Sequence, residues 1–181
     1  MPEEIEVPTE HLHEALKEAA EGHGEEGPSW IGRVALTAAV LAVAAAITAL
    51  LAGHHANEAM LEQLKATDEW SLYQAKGIKM SQVETKLDIL LAVGKEPRED
   101  DRQKIDRYKE EQEKIKEQAT EMEQSSAHHM SRHVILARAV TGFQVAIALS
   151  AIAVLSRRKL VWFVSMALGV IGTVFLVQGL L

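Results

Sequence analysis

Three stretches of the chain contain no charged residue, and the segment between the first two is densely charged. The three stretches are residues 34–52, 139–156 and 160–181, which are 19, 18 and 22 residues long. A helix needs roughly 20 apolar residues to span a bilayer. Buried core helices are the alternative, but a soluble fold of this size has no partner surface for three uniformly apolar helices. The pattern therefore predicts an all-α membrane protein with three transmembrane helices.

The charged segment between the first two stretches carries a heptad pattern in its second half. Uncharged residues recur there at alternating steps of three and four, which is the spacing of a coiled-coil seam. The members of this seam are Ile105, Tyr108, Gln112, Ile115, Ala119, Met122, Ser126, His129, His133, Leu136, Val140 and Phe143. The first half has a less regular apolar stripe near the helical period. Its members are Leu61, Leu64, Leu72, Ala75, Ile78, Val83, Leu87 and Leu90. The two halves predict the arms of a long antiparallel coiled-coil hairpin.

The sequence between the two arms has the features of a helix end followed by a helix start. Gly94 is the residue type that commonly follows a helix C-terminus, and Pro97 suits the first position of a new helix. The acidic residues 99–101 then place negative charge at the positive end of the second helix. We expect the turn near residues 94–98.

These elements predict an organisation for the whole chain. We expect an acidic soluble tail at 1–28, transmembrane helices at 29–53, 139–156 and 160–181, and an extramembrane helical hairpin at 54–138 between the first two spans. The seam of the second arm continues into the second span. We therefore expect that arm and that span to form one continuous helix.

Basic residues indicate an orientation in the membrane. The loop 156–159 contains Arg157, Arg158 and Lys159. By the positive-inside rule this loop is cytoplasmic, which places the N-terminus in the cytoplasm and the hairpin on the opposite side. The acidic tail, together with Arg132 and Arg138 at the base of the hairpin, is evidence against this orientation.

Composition excludes several classes of function. The chain has no cysteine, which excludes disulfides, thiol chemistry and cysteine metal sites. Its net charge is −7, and no basic patch of the kind that binds nucleic acid is present in the sequence. No nucleophile–base arrangement, phosphate-binding loop or pair of carboxylates stands out. We therefore expect neither catalysis nor a cofactor.

The histidines near the base of the hairpin are the candidate metal ligands. His129 and His133 are four residues apart on the seam, a spacing that can chelate one metal ion. If the turn centres near Pro97, the residue numbers of facing residues add to about 194. That register places His133 opposite Leu61, His129 opposite Lys65, and Glu62 opposite Arg132 as an ion pair. Solvated or hydrogen-bonded seam histidines are the alternative to a zinc or copper site or a pH switch.

Polar residues at the start of the second span are a candidate membrane site. Arg138, Thr141 and Gln144 lie in or next to an apolar helix, where polar groups are costly and usually face protein or water. They fit either a polar pathway, or interfacial placement of Arg138 with a single interhelical hydrogen bond from Gln144. Three spans do not enclose a pore alone, so a channel would require several chains.

Residues 70–79 of the first arm resemble a family signature. They read Trp-Ser-Leu-Tyr-Gln-Ala-Lys-Gly-Ile-Lys and are similar to the pattern W-x-x-Y-Q-A-K-x-x-K of an uncharacterised bacterial family of small three-span membrane proteins. Residues 107–110 and the closing pair of spans around 157–158 add to the resemblance, which covers most of 30–180. It implies the same architecture and no activity. For a bacterial protein, the orientation indicated by the basic loop places the chain in the inner membrane with the hairpin in the periplasm.

Within the signature, Trp70 and Tyr73 lie on neighbouring positions of one helix face, and Gln74 is placed to bond across the seam and fix register. With the seam positions, these residues form the predicted assembly site, whereas a ligand site is the alternative. The predicted assembly positions are Trp70, Tyr73, Gln74, Ile105, Tyr108, Gln112, Ile115, Ala119 and Met122.

Three hypotheses for function follow from these features. The first is a self-assembling scaffold built on the hairpin, since a lone hairpin with polar seam residues is marginal and self-association is expected. The second is an oligomeric channel, and the third is a metal or pH sensor. The expected partners are the lipid bilayer and further copies of the chain, with an unknown protein as an alternative partner.

Overall fold

The structure is a computed structural model that describes Lys17 and residues 29–181, so the rest of the predicted acidic tail lies outside the described residues. Within 29–181 there are three helices and no strand: α1 (Ser29–Ala92), α2 (Glu99–Ser156) and α3 (Lys159–Leu180). Each of the three is long and apolar enough to cross a membrane. The predicted all-helical fold and its three long apolar helices are confirmed.

The chain divides into two compact units. We call residues Met1–His54 with Arg132–Leu181 the apolar unit, and residues His55–Ser131 the hairpin unit. The helices α1 and α2 contribute residues to both units, and α3 belongs to the apolar unit.

Small residues let the three helices of the apolar unit approach closely. A core of Ala45, Ala139, Phe143 and Ile147 lies between them. A methyl group added at Gly142 of α2 would lie only 3.3 Å from the backbone of Gly172 in α3. Glycine and alanine at such contacts allow the van der Waals packing that holds helices together in an apolar environment.

Buried hydroxyl groups add specific bonds between α2 and α3. The Ser165 hydroxyl donates to the Ala146 carbonyl at 2.7 Å, and the Ser150 and Ser165 hydroxyl oxygens are 2.7 Å apart. Because the Ser165 proton goes to the carbonyl, Ser150 donates to Ser165. Both serines are fully buried, so these bonds satisfy groups that would otherwise be costly.

The connection between α1 and α2 begins as the sequence indicates. Gly94 takes a left-handed φ of +68°, and the N–H groups of Gly94 and Lys95 donate to the carbonyls of Leu91 and Leu90. This is the glycine-terminated helix end expected from the residue type. Helix α2 begins at Glu99 rather than at Pro97, so the proline lies two residues before the helix instead of at its first position.

The second arm of the hairpin contributes the seam that its heptad pattern predicts. All twelve predicted seam positions are buried or half-buried, and Ala119 is fully buried. Facing it, the first arm contributes small residues, since Ala59 and Ala66 are 1% and 0% exposed. At these two positions the inner face of α1 therefore has alanine where leucine would be usual in a coiled coil.

The predicted stripe of the first arm is wrong as an inner face for its first five members, whereas Val83, Leu87 and Leu90 are half-buried. Leu61, Leu64 and Ile78 are 50%, 57% and 61% exposed, and Leu72 is 44% exposed. The inner alanines lie two residues before the corresponding leucine positions. Two residues are more than half a turn at 3.6 residues per turn, so the two sets lie on opposite sides of the helix. Leucines dominate a hydrophobicity pattern, whereas the arms pack through the smallest side chains.

The predicted register of the hairpin is also wrong. The pairs Ala59 with Ser126 and Tyr73 with Gln112 each have residue numbers that add to 185, not to the expected 194. The physical reason is the connection 93–98, which is not a symmetric turn. Helix α1 continues past the level where α2 begins, and the connection then returns along it. The assumption that the arms extend equally on either side of Pro97 therefore does not hold.

Candidate assembly site in the hairpin

Two side chains of α2 bond directly to the backbone of α1 inside the hairpin unit. The Ser126 hydroxyl donates to the Ala59 carbonyl at 2.8 Å, and the Gln112 amide donates to the Tyr73 carbonyl at 3.1 Å. A short side chain reaches a backbone carbonyl of another helix only when the two helices are close. The alanine inner face of α1 permits this approach.

Gly77 provides the room for the Gln112 amide. A methyl group at Gly77 would lie 2.9 Å from the Gln112 Nε2 atom, which is closer than a carbon–nitrogen contact allows. Gln74 is exposed in the single chain, and the glutamine that bonds across the seam within it is Gln112. A polar group that bonds at one level of a seam fixes its register.

The residues of the family signature face the second arm. Trp70 donates its ring N–H to Glu123 at 2.8 Å and packs edge-on against Tyr73, with ring centroids 5.5 Å apart. Lys76 bonds to Glu111 and lies 5.6 Å from the centre of the Tyr108 ring. Residues three apart along α1 thus contact α2 at successive levels, and the signature sets the pairing of the arms.

Charge supports this contact. Arg107 is 3.5 Å from Glu111 on the side opposite Lys76, and its guanidinium lies 5.5 Å from the Tyr108 ring centre. The hydrogen bond from Lys76 lowers the pKa of the Glu111 carboxyl, and the nearby cations act in the same direction. Glu111 is therefore ionised, and paired, well below neutral pH.

A buried aspartate holds the tip of the hairpin, and the sequence analysis had assigned it only a role at the helix start. Asp101 is 2% exposed and accepts a hydrogen bond from Lys86 at 2.6 Å. Arg98 and Lys104 each approach it to 3.8 Å. The bond from Lys86 lowers the pKa of Asp101, and the neighbouring cations add to the effect against the opposing influence of burial. No spacing rule in the sequence indicates this cluster, because it depends on the register of the arms.

His129 and His133 do not share a partner, since each bonds to a different residue of α1. The Nδ1 atoms of His55 and His129 are 3.0 Å apart, so one ring donates a hydrogen bond to the other. In the apolar unit, the Nδ1 of His133 donates to the Ala52 carbonyl at 2.9 Å. The expected neighbours Lys65 of His129 and Leu61 of His133 are wrong, because the register is shifted. Among the described residues, no group of three or more histidine or acidic side chains is placed to hold a metal ion.

The predicted ion pair between Glu62 and Arg132 is likewise not formed. Glu62 pairs with Lys65 at 2.9 Å on its own helix, and the Arg132 guanidinium donates to the Leu181 carbonyl at 2.9 Å. Both outcomes follow from the same shift in register.

The polar residues at the start of the second span lie on the outside of a single chain. Arg138 and Thr141 are exposed, Gln144 is half-buried, and the Thr141 hydroxyl donates to the Ala137 carbonyl of its own helix at 3.0 Å. A polar pathway through these residues would therefore need several chains around it.

The remaining feature of the hairpin unit is a set of exposed apolar side chains. All but one of its large exposed apolar residues lie on α1 or the connection that follows it. They are Met60, Leu61, Leu64, Leu72, Ile78, Ile89, Leu91, Val93 and, on α2, Met130. The outer positions of α2 instead carry charge, for example Lys109, Glu110 and Glu113. Among the residues that the structure describes, no helix covers this apolar face of the first arm.

Comparison of the sequence with models of protein families identifies the family of the chain. Residues 30–181 match the family described as Domain of unknown function (DUF4337). The chain belongs to the DUF4337 family. This confirms the predicted membership of an uncharacterised family. Searches of the curated proteins and of the solved structures found no match. Membership of the DUF4337 family supplies no activity, so the function has to be argued from the geometry.

Proposed function

We propose that the protein is a non-enzymatic multi-pass membrane protein that self-assembles as a scaffold through its helical hairpin. The observation that carries the proposal is the exposed apolar face of α1 in the hairpin unit. Lipid can cover apolar side chains of a membrane span, but Leu61, Leu64 and Ile78 lie outside the three uncharged stretches. An apolar face of this kind in water marks an interaction surface.

The apolar unit is the part we assign to the bilayer. Its three helices expose apolar side chains outward, as lipid-facing surfaces do, and it carries cations at both ends. Trp162 donates to the Thr37 hydroxyl at 3.2 Å, so the start of α3 lies beside the early part of α1. Arg33 and the basic loop 156–159 therefore share one end.

Basic residues support an orientation within that assignment. The end with Arg33 also holds Arg157, Arg158 and Lys159, whereas the other end holds Arg132 and Arg138. The excess of basic residues at the first end supports placing it in the cytoplasm. In this orientation the hairpin unit is periplasmic in a bacterial inner membrane.

The test of self-assembly is the mass of the full chain in lipid nanodiscs by native mass spectrometry. A discrete oligomer is the expected result, and a monomer at all concentrations would refute the scaffold. The variants Arg138→Gln and Gln144→Leu are expected to leave the oligomer unchanged, because their side chains are outside the hairpin unit. If the same variants abolish ion flux in liposomes, the oligomer is a channel instead.

We propose proton sensing as a second candidate, because of the contact between His55 and His129. A hydrogen bond between two imidazole Nδ1 atoms requires one of them to be unprotonated, so the bond is lost when both rings are protonated. Two cationic rings at 3.0 Å would repel each other, so acidification should open the base of the hairpin unit. Hydrogen exchange around residue 129 at pH 5.5 and 7.5 tests this, with the neighbouring His128→Gln as control and His129→Gln as the variant expected to lose the pH response. Equal exchange at both pH values would eliminate the sensor.

A further inference from the structure

We propose that the apolar face of the first arm pairs with the same face of a second copy of this chain, parallel and in register. We call this face the outer stripe, and its members are Leu61, Leu64, Ala75, Ile78 and Ile89. The inference rests on the proposed self-assembly and specifies the surface, the partner and the direction of pairing.

The outer stripe follows a heptad frame of its own. Leu61, Ala75 and Ile89 occupy one core position, and Leu64 and Ile78 the other. All five are exposed, and the large ones are exposed by 50% to 61%. The inner alanines Ala59 and Ala66 follow a second frame two residues ahead. Helix α1 therefore has two opposite heptad faces in the hairpin unit, and only the inner one is covered by α2.

The frame of the outer stripe extends in the sequence beyond the hairpin unit. Counted back by alternating steps of four and three, it first meets the polar Asn57 and His54 and then passes through apolar residues of the first uncharged stretch. They are Leu36, Val40, Val43, Ile47 and Leu50. Each of these is also an exposed residue of the apolar unit. Between Leu61 and Ile89 the repeat is interrupted, since four of its nine core positions are polar. These four are Asp68, Ser71, Gln82 and Thr85. The apolar core positions that remain are those at which a second copy would meet its own counterpart.

The area of the outer stripe is suitable for a modest interface. A large aliphatic side chain offers on the order of 100 Å² of apolar surface when fully exposed. Four such side chains in the stripe, with the flanking Met60 and Leu72, are each about half exposed and give about 300 Å² on each copy. This is the size of the largest apolar patch on an ordinary monomer and below the roughly 800 Å² per partner of a stable complex. Pairing of this strength suits copies already concentrated in one membrane.

The charges beside the stripe favour a second copy in parallel. Each heptad of a coiled coil has a first and a second core position. In a parallel pair, the residue just after the second core position lies beside the residue just before the first core position of the other helix. Lys65 and Lys79 then face neutral residues of the second copy. Those neutral residues are Met60 and Gln74. Copies inserted in one bilayer with one orientation present their first arms in this direction.

The antiparallel alternative is disfavoured by the same charges. When Leu61 faces Ile78 in an antiparallel pair, the flanking Lys65 of one copy lies opposite Lys79 of the other. Like charges at such positions oppose pairing. An acidic partner protein would be attracted by these lysines, but it would not account for the heptad repeat, which a second copy matches by identity.

Asp68 distinguishes pairing with an identical copy from pairing with a different partner. It occupies a core position of the outer stripe between Leu61 and Ala75 and therefore faces its own counterpart in an in-register parallel pair. Two carboxylates at one core position weaken such a pair. Replacing Asp68 by leucine should strengthen the pairing of identical copies, by at least about tenfold in dissociation constant. The expected gain is in one discrete oligomer, whereas a misfolded variant would give aggregates of mixed size.

Disulfide crosslinking tests the geometry directly, because the natural chain has no cysteine. The variants Leu64→Cys and Ile78→Cys are made singly in the full chain, in nanodiscs or native membranes, and treated with a mild oxidant. A disulfide requires Cα atoms about 4.4–6.8 Å apart, a separation that only facing positions in register provide. Leu91→Cys is the matched control, since Leu91 is 59% exposed but lies off the stripe.

We expect both stripe variants to form covalent dimers, at least about tenfold faster than the control at equal thiol reactivity. Equal crosslinking of all three variants, or none with the stripe variants, would overturn the parallel in-register pair.

Mass measurements separate this inference from the proposed function. The double variant Leu61→Asp with Leu64→Asp should dissociate the oligomer, and Ile89→Asp should weaken it more than Leu91→Asp, which lies two positions further along α1 and off the stripe. A wild-type monomer would refute self-assembly itself. A wild-type oligomer that survives the double variant, and is not strengthened by Asp68→Leu, would retain the scaffold and refute the outer stripe as its interface.

Discussion

Replacing Ala119 by leucine tests the close packing of the hairpin. Ala119 on α2 and Ala66 on α1 are both 0% exposed. Their residue numbers add to 185, as do those of the two hydrogen-bonded pairs on either side, Ala59 with Ser126 and Tyr73 with Gln112. Two alanines therefore face each other between two cross-arm bonds, and there is no room for a larger side chain.

The expected cost has two parts. Forcing a larger side chain into a packed core costs about 1–3 kcal/mol. If the arms separate to accommodate it, the flanking bonds of Ser126 and Gln112 lengthen, and each is worth about 1 kcal/mol. We therefore expect Ala119→Leu to reduce the stability of the hairpin unit by about 2–4 kcal/mol.

Ala127→Leu is the matched control, because Ala127 is an exposed residue of the same helix. Alanine and leucine are both good helix formers, so the difference between the two variants reports packing rather than helix propensity. Hydrogen exchange of residues 55–131 in the full chain measures the local opening free energy. A difference below about 0.5 kcal/mol would refute close packing at this level. Adding Ala66→Gly to Ala119→Leu should recover part of the loss, which confirms that the two positions contact each other.

Two further predictions concern the tip of the hairpin and the apolar unit. The pKa of Asp101 is lowered in the folded protein, so its stabilisation is present at neutral pH and is lost as pH falls below about 4. Asp101→Asn should therefore be less stable at pH 7 and less sensitive to acid, by hydrogen exchange at the tip, whereas the exposed Asp106→Asn should resemble wild type. In the apolar unit, Gly142→Leu should separate the helix from Gly172 and lower the melting temperature in detergent, since the backbone there is 3.3 Å from an added methyl group. Gly32→Leu, with nothing within 4 Å, is the control, and equal melting temperatures would contradict the close contact.

The features predicted correctly are those that one helix carries by itself. The seam of the second arm follows from the spacing of residues such as Ile115 and Ala119, because burial on a helix repeats with its period. The glycine-terminated end of α1 follows from Gly94, since a left-handed residue is most favourable as glycine. Neither requires knowledge of how the arms meet.

The features that were missed depend on two helices together. The sequence gives no direct measure of the distance between arms, and a leucine stripe and an alanine stripe are both periodic. Hydrophobicity ranks leucine first, so a hydrophobic pattern favours the outward Leu61 and Leu64 over the inward Ala59 and Ala66. The regular spacing of the inner alanines, seven residues apart from Ala38 to Ala66, was the signal available for the correct face. The pairs of His129 and Asp101 follow only after the register is known.

The inner contacts also determine which side chains are left for assembly. With leucines on the inner face of α1, the arms would be too far apart for the Ser126 hydroxyl to reach the Ala59 carbonyl. The alanine face is thus the one that permits the cross-arm bonds, and those bonds fix the rotation of α1 about its axis. Since the two heptad frames are two residues apart, that rotation turns Leu64 and Ile78 outward. A change that loosens the inner contact, such as Ala119→Leu, should therefore also weaken self-assembly, because α1 can then rotate and bury its leucines within its own hairpin.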